Sequence, residues 1–188
     1  MIIRKPRLDE REQLIPLLMI ILNSMDLEFL KEADPKDVRE MLFHAMGTPG
    51  YRYSMDHALV ADIDGAIAGV AFGYPGEIED TIDLAMDDLF AAYNYPTGNK
   101  LFIDKETFPG EWYLDSLVTH EDYRGLGVGT ALLKSLPEMA RATNQTKIGL
   151  NCEVDNQGAY KLYSSLGFKD HSMRMIGSHQ YQHMQWAF

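Results

Sequence analysis

Between Tyr113 and Leu133 the chain reads as a strand, a short turn, a glycine-rich loop and the start of a helix. The strand is Trp112 to Thr119, and the loop is Arg124-Gly125-Leu126-Gly127-Val128-Gly129-Thr130. A loop that opens a helix leaves several backbone N–H groups unpaired and pointing one way. The helix dipole adds partial positive charge at the same place. Together they form an anion site suited to a phosphate or pyrophosphate. Glycines at 125, 127 and 129 let the backbone approach the anion with no Cβ in the way. The expectation is a phosphorylated ligand held at the end of a central strand.

Two glycine loops can be tested against this one. A Walker loop needs a Lys before its Ser or Thr, and no Lys precedes Thr130. A dinucleotide fingerprint needs G-x-G-x-x-G, whereas the spacing here is G-x-G-x-G. The pattern that fits is Arg124-x-x-Gly127-x-Gly129, which resembles the pyrophosphate arm of the GNAT superfamily of N-acetyltransferases. A second segment carries the same resemblance. Asn156-Gln157-Gly158-Ala159-Tyr160-Lys161-Leu162-Tyr163-Ser164-Ser165-Leu166-Gly167-Phe168 is similar to the family's N-x-x-A-x-x-L-Y-x-x-x-G-F at every motif position. It follows a strand-like run from Ile148 to Val154, in the order that the family requires.

The resemblance implies an α/β fold: one domain over residues 1–188, with a mixed, mostly antiparallel sheet of about seven strands and helices on both faces. It implies acetyl-CoA as the acyl donor, with no metal. Strands four and five would splay, and the pantetheine arm would lie between them. Backbone groups of Leu117 and Thr119 would pair with its amides, a form of strand addition. The N–H groups of Gly125, Leu126, Gly127, Val128, Gly129 and Thr130 would hold the pyrophosphate, with Arg124 and the Thr130 hydroxyl beside them. The Val118 N–H would polarise the thioester carbonyl. Asn156 would bond the pantetheine arm or cap its helix. Tyr163 would protonate the departing thiolate, since a phenol of pKa near 10 is suited to that step.

The reaction expected is acetyl transfer to a primary amine of a small molecule or peptide by direct attack. Such an amine is almost wholly protonated at neutral pH, so a base or water chain must take its proton. Asp115 lies in the strand near the expected thioester, and alternation puts 115, 117 and 119 on one face. Glu111 begins the same strand, and Asn151 falls where some relatives carry a glutamate base. Asp26, Glu28 and Glu32, after the first helix, are candidates to bind a cationic acceptor or to form a solvated face. Two other readings stay open: a non-catalytic acyl-CoA-binding or sensing module, and transfer of a different acyl group.

Composition narrows the classes. The chain has 188 residues, enough for one domain with a proper core. Its net charge of −11 argues against nucleic acid as a partner. The longest apolar run, Leu14 to Leu22, contains Pro16 and is too short for a membrane span. The first residues lack the apolar stretch of a signal peptide, so a cytoplasmic location is expected. The one cysteine, Cys152, excludes an internal disulfide and reads as buried. His179 and His183 are four apart on a strand and do not converge on a metal. A homodimer through the final strands is left open.

Along the chain, Ile2–Arg7 reads as a strand, and Asp9 with Glu12 as the cap of a helix through Leu22. Asp34-Pro35 opens a second helix that ends at Gly47. Ala58–Asp62 and Ala66–Gly73 form a hairpin about Asp64-Gly65. Glu77–Tyr95 reads as one acidic amphipathic helix, and residues 77–110 as an insertion that walls an acceptor site or covers the sheet. Pro137 predicts a kink or an early end in the helix that starts at Gly127. Phe168–Ile176 and Tyr181–Phe188 form a final hairpin.

Overall fold

The computed structural model describes residues 1–25, 27–97 and 101–188. Asp26, an acceptor-site candidate from sequence, lies outside the described residues. Seven strands form one sheet: β1 (Ile2–Arg4), β2 (Ala58–Ile63), β3 (Ala66–Pro75), β4 (Trp112–Thr119), β5 (Lys147–Glu153), β6 (Lys169–Ile176) and β7 (His179–Ala187). Their order is β1-β2-β3-β4-β5-β7-β6. Only β4 and β5 run parallel; every other neighbouring pair is antiparallel. Among the described residues, no helix is long and apolar enough to cross a membrane.

Helices cover both faces. On one face lie α1 (Arg11–Ser24), α2 (Glu28–Glu32), α3 (Pro35–Ala45) and α4 (Ala85–Ala92). Leu14, Leu18, Met41, Leu42 and Phe90 pack there on Val60, Val70 and Phe72. The other face carries α5 (Val128–Ala142) and α6 (Gln157–Ser165). There Leu132, Leu133 and Leu136 bury completely on Leu114, Ile148 and Leu150. Each such leucine contributes about 1.5–3 kcal/mol, which explains why the apolar stripe of α5 docks as it does.

Four local expectations change. The Glu10 carboxylate, reaching back to the Arg7 N–H at 2.6 Å, closes a 3-10 turn over Leu8–Glu10 that leads into α1, in place of a cap by Asp9 and Glu12. Pro137 is buried inside α5 and brings no early end, since the helix continues to Ala142. The segment after Leu27 contains the short helix α2. Glu77–Tyr95 is not one helix but a 3-10 turn, Gly76–Thr81, followed by α4. Its acidic side chains are pulled into tertiary contacts. Glu79 accepts from the Glu106 N–H at 2.6 Å and the Thr107 hydroxyl at 2.6 Å, and Asp83 turns to Arg52.

Candidate active site

The parallel pairing of β4 and β5 covers only Trp112–Leu114 against Ile148–Leu150. Beyond that vertex the strands part, while β4 stays paired to β3 and β5 to β7. One edge of Asp115–Thr119 therefore faces an open split. The His120 N–H bonds to the Ala68 carbonyl at 2.9 Å, which makes Gly69 and Thr119 a non-bonded pair and Val70 and Val118 a bonded one. The backbone groups of Val118 thus face β3, and those of Leu117 and Thr119 face the split. The family resemblance implies that the Val118 N–H polarises the thioester carbonyl. In the ladder its N–H faces β3, and the donors left on the open edge are the N–H groups of Leu117 and Thr119.

A bulge sets the side chains. Phe72 pairs with Ser116 and Gly73 with Leu114, so Asp115 is the extra residue. The bulge reverses the alternation. Leu117 packs on the α5 and α6 face, whereas Asp115 reaches Arg52 on the opposite one. Residues 115, 117 and 119 do not share a face, contrary to the period-two expectation.

At the end of β4 the chain turns through Glu121–Tyr123 into the loop. Gly127 caps α5 with φ of 79°, and Gly125 has φ of 76°. Both angles lie in the left-handed region, where a side chain is strained. The space on which their missing side chains would open is empty. Gly127 accepts from the Ala131 N–H at 2.9 Å, but the N–H groups of Gly125, Gly127, Val128, Gly129 and Thr130 find no acceptor among the described residues. Leu126 donates to the Tyr123 carbonyl at 3.4 Å and is exposed. Val128 is buried and pins the loop to the sheet. Arg124 is exposed beside this row of donors.

Tyr163 lies on α6, against Phe168 at 5.8 Å between ring centroids, on the α5 side of the split. Its hydroxyl has no hydrogen-bond partner among the described residues. Burial raises its pKa well above the ordinary phenol value, with the neighbouring Cys152 thiol adding to the shift. Asn156 caps α6 by accepting from the Ala159 N–H at 3.0 Å. Cys152 is buried, and burial pushes its thiol up to about 11, so it is not a thiolate near neutral pH.

The opposite face of the vertex holds a polar cluster that sequence reading did not assemble. Arg52 is buried and donates to Asp83 at 2.9 Å, Asp115 at 2.7 Å and the Tyr74 hydroxyl at 2.9 Å. Glu106 stands 3.5 Å from the same guanidinium. Asp115 has its second oxygen on the Ser116 hydroxyl at 2.9 Å, so both of its oxygens are engaged. Asn151 donates to the Tyr113 hydroxyl at 3.0 Å, and Tyr113 donates to Glu106 at 2.7 Å. The Asn151 carbonyl oxygen meets His183 at 2.7 Å. The other His183 nitrogen lies 3.1 Å from Glu111, which also accepts from Gln185 at 2.7 Å and the Phe108 N–H at 2.8 Å. Glu111 and His183 are fully buried, so Glu111 supports β5 from inside the protein. His179 is exposed and pairs with Glu153 at 2.7 Å. Nothing local marks Arg52 or Glu106 in the sequence; the only signal was a charged residue inside an aromatic run, Tyr51-Arg52-Tyr53.

Glu111 also explains Gly149. A Cβ at that position would run into the Glu111 carboxylate, which its three partners hold in place. Gly149→Ala is expected to lower stability by about 2 kcal/mol, the range for forcing atoms into a packed interior. Urea unfolding checks it, and an unchanged midpoint would show that Glu111 can withdraw.

Beside Arg52 lies a cleft of about 110 Å³, lined by Glu79, Asp80, Asp83, Leu84, Phe90 and Phe102 among others. Glu28 and Glu32 lie on α2, outside this lining.

The family model described as acetyltransferase (GNAT) family matches residues 21–168. No curated protein matches the chain. Among solved structures, one described as an acetyltransferase is 39% identical over 100% of this chain and 99% of its own, with a TM-score of 0.92. An N-acetyltransferase from Staphylococcus aureus Mu50 is 29% identical over 99% of this chain and 100% of its own, with a TM-score of 0.86. The yncA structure from Salmonella typhimurium, solved with its cofactor acetyl-CoA, shares the fold at 17% identity. It covers 100% of this chain and 93% of its own, with a TM-score of 0.60.

Proposed function

Because the chain belongs to the acetyltransferase (GNAT) family and is an acyltransferase, we propose that it transfers the acetyl group of acetyl-CoA to a primary amine of a small molecule or peptide by direct attack. The observation that carries this reading is the split itself. An unpaired β4 edge lies between a row of free loop amides at one end and the unpartnered Tyr163 hydroxyl on one face. That acetyl-CoA accompanies the Salmonella structure of the same fold supports the choice of donor.

In this reading the loop amides from Gly125 to Thr130, with Arg124 and the Thr130 hydroxyl, bind the pyrophosphate. Free N–H groups and the α5 dipole suit that charge. The pantetheine arm pairs with Leu117 and Thr119 as an added strand. The Leu117 N–H donates to the thioester carbonyl, where negative charge develops as the amine attacks. Tyr163 then gives its proton to the sulfur. The raised pKa of the phenol keeps it protonated until the thiolate forms. The cleft of the 77–110 segment is the wall of the acceptor site, and its carboxylates favour an amine that arrives as a cation.

Thiol release from acetyl-CoA against a panel of polyamines, amino acids, aminoglycosides and peptide N-termini tests the reading. Turnover on one class supports it and names the acceptor. Tight acetyl-CoA binding with no turnover would instead favour a sensing module. Tyr163→Phe is expected to lower kcat by about 100-fold, the usual contribution of a positioned acid, with acetyl-CoA affinity by calorimetry within about twofold. An unchanged kcat would remove Tyr163 from the mechanism.

A further inference from the structure

We propose that Glu106 is the general base of the transfer, taking the acceptor's proton on the sheet face opposite Tyr163. The inference rests on the acetyl-transfer reading above and supplies the residue that reading lacks. Asp115, the base suggested by sequence, has both oxygens in close bonds, to Arg52 at 2.7 Å and Ser116 at 2.9 Å, whereas one Glu106 oxygen has only a 3.5 Å contact to Arg52. Asn151 cannot accept a proton as a carboxylate would, and Glu111 is fully buried behind His183.

Glu106 is held at the right place. Its carboxylate takes the Tyr113 hydroxyl at 2.7 Å, its carbonyl takes the Asn151 amide at 3.1 Å, and that same amide bonds Tyr113 at 3.0 Å. Tyr113 lies in the last paired stretch of β4, and Asn151 is the first residue of β5 beyond the pairing. The carboxylate is thus moored at the vertex of the split. Leu150 and Cys152 face α5 and α6 with Tyr163, while Asn151 faces the other way. A thioester lying in the split would present its sulfur to one face and receive an amine from the other. Acid and base on opposite faces suit that geometry.

Charge counting points to the same residue. Among the described residues, three carboxylates, of Asp83, Asp115 and Glu106, stand around the guanidinium of Arg52. Asp83 and Asp115 make close bonds to it, and Glu106 stands off at 3.5 Å. A buried cluster with surplus negative charge takes up a proton at its least neutralised member. Burial, with the charge of Asp115 next, pushes the Glu106 carboxyl up to about 7, and Arg52 and the Tyr113 hydrogen bond oppose the rise. Glu79 from the 3-10 turn adds to the negative field. The Tyr53, Tyr74 and Tyr181 phenols also face Glu106, and that of Tyr53 is fully buried with no hydrogen-bond partner. An acid near neutrality both accepts and releases a proton readily at working pH.

The step balances. Glu106 takes one proton from the ammonium, and the freed electron pair forms the C–N bond to the thioester carbon. The C–S bond breaks, and the thiolate takes the Tyr163 proton. The proton still in excess on nitrogen returns to Tyr163, and Glu106 releases its own to solvent. The products are an amide, the CoA thiol and one proton.

The test is kcat against pH from about 5.5 to 9, on whichever amine of the panel the native enzyme acetylates. The native profile is expected to rise through about pH 7. Glu106→Gln should lower kcat about 100-fold and abolish that rise, with acetyl-CoA affinity retained. A variant that keeps the native rise overturns the proposal while leaving acetyl transfer intact. If the native enzyme acetylates no amine, the acetyl-transfer reading fails, and the base role fails with it. Should Glu106→Gln not fold, Tyr113→Phe decides. Loss of the hydrogen bond that favours the ionised carboxylate should move the rise to higher pH, and an unmoved rise overturns the proposal.

Discussion

Arg52→Met is expected to cost about 4 kcal/mol of folding stability at neutral pH, within the range for removing one partner of a buried ion cluster. Arg52 is 2% exposed as a side chain, and Asp115 is 1% exposed. Methionine fills much of the volume but leaves Asp83, Asp115 and Glu106 facing one another without a cation. Unpaired buried carboxylates respond by binding protons. The sign follows from linkage. The charge of Arg52 lowers the pKa of Asp83 and of Glu106, so its loss lifts both further above their unfolded values. A carboxylate with a raised folded pKa contributes stability below its unfolded pKa, and that contribution is lost as pH rises through the folded value. The variant should therefore be more stable at about pH 5 than at about pH 7.5. Urea midpoints at the two pH values measure this. A loss that is equal at both would mean that Arg52 acts by packing on Phe102, 4.0 Å from its ring centre, and not by charge.

Gly127→Glu is expected to weaken acetyl-CoA binding by at least about 100-fold. Two effects add. A side chain at φ of 79° costs about 1–2 kcal/mol in the left-handed region. The new carboxylate would also sit at the α5 N-terminus, where the loop amides await an anion, and a like charge about 4 Å away costs about 4 kcal/mol near a protein surface. Each 1.4 kcal/mol is tenfold in affinity, so the estimate is conservative. Gly127→Ala separates the two effects, because it carries the strain without the charge and should show a smaller loss. Calorimetry with acetyl-CoA reads both. Retained affinity in Gly127→Glu would move the pyrophosphate away from this loop.

The glycine loop that opens α5 and the packing of α6 were legible because their determinants are local. The free amides at Gly125 to Thr130 follow from a helix start with left-handed glycines before it. The capping of α6 by Asn156 and the one-sided packing of Leu162, Tyr163 and Leu166 follow from residues within one or two turns of each other. The hairpin about Asp64-Gly65 formed as its turn residues dictate, with Asp64 at φ of 53° and Gly65 at 87°. The same local logic failed where side chains had distant obligations. Glu77–Tyr95 has helical periodicity, yet Glu79 and Asp83 serve partners far away in sequence and the helix is cut to Ala85–Ala92.

The face of Asp115 was misread for a related reason. Alternation in a strand is a local rule, and a bulge is a property of a pair of strands. Only the register of β4 against β3 shows that Asp115 is the extra residue, and therefore that it meets Arg52 while Leu117 turns to α5. The ladder likewise decides which backbone groups of β4 are spent on β3 and which remain for a ligand.

The sequence by itself determined the fold class, the glycine loop that opens α5 and the cap of α6, since hydrogen-bond caps, turn dihedrals and apolar periodicity act between near neighbours. Only the tertiary structure assembled the polar cluster on the opposite face of the sheet. Arg52, Glu106, Tyr113, Asn151 and His183 are brought together from stretches far apart in the chain. Their cluster exists because burial leaves each charged or polar group in need of a partner, and the folded sheet brings those partners within hydrogen-bond reach.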